Sequence, residues 1–387
     1  MKSHLRSILS AGLALSLAPL AIATSAETTP NYLIANNDYS LGNSATFYTI
    51  SGATLQQKAV VQTGGAGNDG IGSVATKRLT VLRNPVQACV FVADANTSDI
   101  AAIDIDTLKV TGRFLRSSTD DDRASGLGVV NNGKYLYANF SGSQTIGTFQ
   151  VLPGCRLAFV GDTAATGLSG GAIEDMAVNR NLLVVTYLDG SIESFNVASG
   201  SPVSNGDLEF STSGTHGSYP SGVDLSADGH FAIFGDGAST PTAEVSDVSS
   251  GKLTPTVVYS KLGQGQSSFS IWLSPDEKLL YMSDFSSGQV IAASFDKATG
   301  ALSPGCSSAV LSGFNTKWSF TAGLTTASAL GSGSIVFVAE PDASFGAIHV
   351  IEKSGGVCTL TEAPYSPVME KHTITLESVA AYPPRRF

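Results

Sequence analysis

The chain has 387 residues, with 22 Lys or Arg against 32 Asp or Glu and a net charge of −10. That acidic balance argues against nucleic acid and anionic lipid as partners, since both call for basic surface. Only 14% of residues are charged while glycine numbers 41, a composition suited to many short strands joined by tight turns.

The opening segment, MKSHLRSILSAGLALSLAPLAIATSAETTP, places Lys2 and Arg6 ahead of an apolar run from Leu9 to Ala23 and ends in small residues. This is the pattern of a secretory signal peptide, assigned to 1–26. Pro19 interrupts the run, and no later stretch approaches the ~20 apolar residues of a membrane helix. The mature chain, 27–387, is therefore expected to be exported, to the periplasm or outside the cell, without membrane insertion. With no cysteine before Cys89, no lipid anchor is expected. Removal of Lys2 and Arg6 leaves 20 basic and 32 acidic residues, a net charge of −12.

One strand pattern then recurs along the chain: YLIAN at 32, CVFVAD at 89, YLYAN at 135, LLVVTY at 182, HFAIFGD at 230, LLYMSD at 279 and IVFVAE at 335. The starts lie 57, 46, 47, 48, 49 and 56 residues apart, near the period of a four-stranded propeller blade. Around the sixth run the order is clearest: a strand (FSIWLS), a turn (PDEK), a second strand (LLYMS), a loop (DFSSG), a third (QVIAASFD), a turn (KATG) and an outer strand. Similar units run through 124–163, 173–210 and 221–263, and no helical periodicity follows the signal peptide. The mature N-terminus begins with a second-strand run, while TITLESVAAYPP from Thr373 reads as an inner strand without a blade of its own. Pairing these two ends closes the ring and removes free sheet edges. The reading is one all-β domain, a seven-bladed β-propeller with four-stranded blades.

Cys89, Cys155, Cys306 and Cys358 allow three disulfide connectivities. Cys155, Cys306 and Cys358 follow glycine-containing turns between third and outer strands, and Cys89 begins a second strand. Neighbouring blades favour Cys89–Cys155 and Cys306–Cys358. No CxxC pair or histidine cluster points to metal or redox chemistry, so neither a metal nor a cofactor is expected.

A function is sought at the channel mouth, where loops between blades emerge together with loops joining second to third strands. Among the histidines, His4 leaves with the signal peptide, His230 falls in a lower-face turn and His349 within a strand. His216 and His372 remain. Arg123, Glu174 and His216 come from three consecutive loops and are the candidate catalytic trio: a His or Glu to activate water, and an Arg to hold a developing oxyanion. Lys317, Trp318, Glu377 and His372 are the candidate substrate contacts. Asp69, Arg116, Lys371, Glu370 and Asp175 lie in the same loops, and Asp120 to Asp122 read as solvated surface. Trp272 and Trp318 read chiefly as core or channel packing. There is no GxSxG elbow, HExxH helix or phosphate-binding glycine loop.

LSPDEKLLYMSD with SFDKATGAL, and the weaker DLSADGHFAIFGD and VNNGKYLYANFSGSQTIGTFQV, resemble the lactonase-type seven-bladed propeller family over essentially the whole mature chain. That family includes 6-phosphogluconolactonases and fungal carboxymuconate-cyclizing enzymes, and overlaps with YVTN-repeat surface proteins. The resemblance implies a metal-independent lactone hydrolase with His, Arg and Glu at the channel mouth. Here Pro220 is followed by Ser221 where the resemblance implies a histidine, with His216 the nearest. Export and carboxylate-rich loops point to an unphosphorylated lactone as the small-molecule substrate; a monomer is expected. The competing reading is a non-catalytic propeller binding a protein, peptide or glycan on its acidic face. A quinone-dependent dehydrogenase lacks any cofactor signature.

Overall fold

In a computed structural model, the residues described are 31–69, 77–116, 128–211, 220–237, 241–263, 268–284, 287–314, 324–326, 334–341, 346–354, 358–370, 376 and 378–385. They form seven antiparallel sheets and, among the described residues, no helix. We number the blades I to VII. The seven recurring runs are the second strands, from Tyr32–Asn36 in blade I to Ile335–Pro341 in blade VII. Both faces of each second strand are covered by neighbouring blades, which is why these runs are continuously apolar rather than alternating. In blades IV and VII the outer position is filled by two short pieces, Val203–Ser204 with Glu209–Phe210 and Thr359–Glu362 with Val368–Glu370.

Ring closure is as the two chain ends imply. Ser378–Tyr382 pairs antiparallel with Tyr32–Asn36, Ile34 facing Ala380, and supplies the inner strand of blade I. The apolar side chains form seven clusters, each drawn from two adjacent blades. One of them joins blades VII and I through Phe337 and Ile348 against Leu33 and Tyr48. With seven blades, a cluster at every boundary leaves no open seam.

A polar residue ending a second strand serves the loop that follows in blades I and VI. Asn36 and Asp284 accept backbone N–H groups from Asp38 and Ser287, at 3.2 and 2.8 Å. Asp94 is instead held across blades I and II by Asn43 and Thr63, both at 2.8 Å. These residues are buried, so the Asp38 and Ser287 backbone groups they hold are fixed just beyond the strand ends.

The disulfides are Cys89–Cys155, joining blades II and III, and Cys306–Cys358, joining VI and VII. Cys155 sits in a turn, but Cys306 lies within the outer strand Ala301–Ser307, opposite Ala292, and the glycine-containing segment before it is strand rather than the turn expected there. The register shifts there, and a Cβ on Gly305 would stand 1.7 Å from the Ala292 carbonyl oxygen. Glycine is what lets the strand press close enough to carry Cys306 to its partner.

Candidate functional site

Each inner strand is paired on one side only, so its other edge presents backbone groups to the central channel. Two cations answer these edges. Lys77, just before the inner strand of blade II (Leu79–Arg83), crosses the channel: its Nζ donates to Asp175 Oδ2 at 2.7 Å, the Met176 carbonyl at 3.0 Å and the Val223 carbonyl at 2.6 Å. Asp175 Oδ2 also accepts the Val223 N–H at 3.0 Å, which ties blade II to blades IV and V. Arg385, beyond the inner strand of blade I, does the equivalent from the lower side. It forks onto Asp224 at 3.0 and 2.9 Å, donates to the Leu273 and Leu225 carbonyls at 2.9 Å, and lies over the Trp272 ring.

Glu174 occupies the upper end of the channel wall. Ile173 faces Tyr187 and Asp175 faces Thr186, so Glu174 is an extra residue on a β-bulge of the inner strand Ile173–Asn179. Bulges re-aim side chains. Similar shifts mark the inner strands of blades V, at Ser221, and VI, before Ile271. Glu174 is fully buried, and neither carboxylate oxygen has a hydrogen-bond partner. Burial first, and the neighbouring Asp175 second, push its carboxyl well above the usual carboxylate range. Burial also raises Asp175, with the Lys77 ammonium opposing it. Two adjacent carboxyl groups thus differ in their bonds: Asp175 is bound to a cation and to backbone N–H, whereas the Glu174 carboxyl makes no hydrogen bond. Such a group fits acid–base work, because an ionised carboxylate left unsatisfied in this position is costly.

The other sequence-predicted residues divide sharply. His216, Arg123, Lys317, Trp318, Glu377, His372, Lys371 and Asp120 to Asp122 lie outside the described residues. Arg116 is a structural residue of blades II and III, bonded to Ser143 and Thr145 at 2.9 and 2.8 Å and stacked on Phe140. Asp69 accepts the Ser40 N–H at 2.9 Å, and Glu370 accepts the Tyr48 hydroxyl. Trp272 packs at the channel, donating Nε1–H to Thr326 Oγ1 at 3.1 Å. His230 lies in the turn before Phe231–Asp236 and His349 within Gly346–Ser354. Lys77 and Arg385 were missed by sequence reasoning. The signals were present as cations flanking short inner-strand runs, KRLTVLR and AAYPPRR.

Below the Lys77 bridge the channel widens into a cavity of about 810 Å³. It runs from Lys77 to the turns holding Asn84, Asn132 and Arg180, so it opens on the lower face, opposite the mouth where function was sought. Among the described residues, no group of three or more His, Cys, Asp or Glu side chains gathers to hold a metal.

No family model matches the sequence, and no curated protein matches it. Solved structures do match the fold. A 6-phosphogluconolactonase candidate from Bacteroides fragilis aligns with a TM-score of 0.64 at 16% identity, covering 92% of this chain and 99% of that one. The periplasmic gluconolactonase of Pseudomonas aeruginosa gives 0.63 at 15% identity, covering 91% and 99%. A functionally unknown protein of Desulfotomaculum acetoxidans gives 0.66 at 12% identity, covering 92% and 100%. At these identities the likeness is one of fold, shared with lactonase-like propellers.

Proposed function

We propose that this chain is an exported, metal-independent lactonase that opens an unphosphorylated lactone at the upper end of the channel, with Glu174 as the acid–base group. The observation that carries the reading is the fully buried, unpartnered Glu174 carboxyl on its bulge beside the Lys77–Asp175 bridge. In the proposed reaction, water adds to the lactone carbonyl carbon and gives a proton to the Glu174 carboxylate. Arg123 holds the oxyanion, and His216 orients or shares the proton. The ring C–O bond then breaks, the proton passes from Glu174 to the departing ring oxygen, and a hydroxy acid leaves. Lys317, Trp318, Glu377 and His372 are the proposed substrate contacts. Two inter-blade disulfides suit the oxidising compartment that the proposed signal peptide over 1–26 implies.

The test is pH-stat hydrolysis of sugar lactones and γ-lactones by the protein and by Glu174→Gln, Arg123→Ala and His216→Ala. A general acid–base group contributes about 10²- to 10⁴-fold, so Glu174→Gln should lose at least 100-fold in kcat. A specific observation favours a second reading: Glu174 is wholly shielded, and Lys77 spans the channel. Absence of turnover on every lactone would point to a propeller that binds a protein, peptide or glycan instead.

A further inference from the structure

The cavity below the Lys77 bridge has a lining of unexpected sign for an acidic chain. Among the described residues it carries Lys77, Arg83, Arg180 and Arg385, and no Asp or Glu. Lys77 and Arg385 are held by Asp175 and Asp224. Arg180, in the turn between the inner and second strands of blade IV, is exposed and has no ion pair or side-chain hydrogen bond. Arg83 stands at the same lower mouth, exposed, with its guanidinium 5.6 Å from the centre of the Tyr382 ring. Deeper in, the walls are apolar, with Val81 and Ile271 beside Trp272, and the buried hydroxyl of Thr325 has no partner. The volume of about 810 Å³ falls in the range of small-molecule sites.

We infer that this lower mouth binds a small organic carboxylate with an apolar body, its carboxylate on Arg180 and its body against Val81, Ile271 and Trp272. A guanidinium presents a planar fork that matches a carboxylate. No acidic side chain in the described lining competes for Arg180. The overall negative charge of the chain disfavours anions over much of its surface, against which an acid-free, arginine-bearing rim stands out. The site is distinct from the proposed hydrolytic centre: neither Glu174 nor Asp175 lines the cavity.

The probe is phenylacetate, titrated into the full protein by calorimetry, with neutral phenylacetamide as its isostere. Phenylacetate should bind saturably at one site, weaken as salt is raised, and exceed phenylacetamide by about tenfold or more. Arg180→Ala should lose a similar factor, Arg180→Lys part of it, and Glu174→Gln none. Equal binding of acid and amide, wild-type affinity in Arg180→Ala, loss of binding in Glu174→Gln, or no saturable binding of either probe would each overturn the inference.

Discussion

Arg385→Ala should lower the melting temperature by about 4 °C. The side chain is 3% exposed and makes four charge-assisted bonds, two to Asp224 and one each to the Leu273 and Leu225 carbonyls. Removing one member of a buried ion pair typically costs ~3–5 kcal/mol, because the other charge stays buried. Asp224 would keep the Leu225 and Leu273 N–H donors, both at 2.8 Å. The space vacated by Arg385 opens on the cavity it lines, so water can reach the abandoned carbonyls. Both effects place the loss near the lower bound, about 3 kcal/mol. An unfolding entropy of ~2.1 cal/mol/K per residue over roughly 350 residues converts this to about 4 °C. Scanning calorimetry reads the shift directly, and a cycle with Asp224→Asn should return a coupling of about 2 kcal/mol. Melting of Arg385→Ala within about 1 °C of the parent, or strict additivity in the cycle, would refute the claim that this pair clamps the ring.

Four further outcomes are expected. A lactonase using Glu174 as base should show an ascending limb of kcat/KM against pH displaced well above the ordinary carboxylate range, and Glu174→Gln should remove it. The raised Glu174 carboxyl also favours folding at acid pH and loses that contribution as pH rises through its folded value; a melting-temperature profile unchanged in slope in Glu174→Gln would contradict this. In blade VII the buried His349 lies between Glu340 and Glu362, and Glu362 also accepts from Ser366 Oγ at 2.6 Å and the Ser312 N–H at 2.8 Å. Burial opposes protonation of His349, but its two carboxylate bonds outweigh it and raise the imidazole, while Glu362, despite burial, is pulled down to about 2 by His349 and its other donors. The His349 contribution is complete below ~6.5 and lost as pH climbs through its folded value; the Glu362 contribution is complete above ~4.3 and lost toward about 2. The stability difference between parent and His349→Gln should therefore be greatest near pH 5–6 and shrink on both sides, as thermal melts across ~pH 3–9 would reveal. Finally, Cys89 and Cys155 are separated by 66 residues, for which chain entropy gives roughly 4 kcal/mol, so the double Cys→Ser variant should unfold at markedly lower urea; an unchanged midpoint would count against it.

The seven blades are readable because each second strand is sheathed on both sides, so the chain spells it as an apolar run ending in Asn, Asp, Glu or Tyr. The inner strands are much less so: those of blades III and VII are only Val129–Asn131 and Leu324–Thr326, too short for any period to register. The two disulfide pairings follow from blade adjacency, a local property. Glu174 was reachable as a charged residue entering an inner strand, but its bulge and its want of a partner depend on the opposite strand. Lys77 and Arg385 act across 98 and 161 residues of sequence. Nothing in a one-dimensional pattern distinguishes a lysine that crosses a ring from one that faces water. His216, Arg123, Lys317, Trp318, Glu377 and His372 remain proposals.

The pairing of Ser378–Tyr382 with Tyr32–Asn36 has a consequence for biogenesis. The first blade to leave the ribosome is the last to be completed, and until residue 382 emerges its second strand offers a bare edge to any neighbouring chain. Blades II to VII can be assembled in sequence during synthesis, whereas blade I must wait, with Leu33 and Tyr48 lacking the Leu376 and Val379 side chains that pack in the same cluster. A nascent chain of this design is most exposed to misassembly while its final segment is still unsynthesised, and a holdase acting at that stage would have its target in the chain's beginning rather than its end.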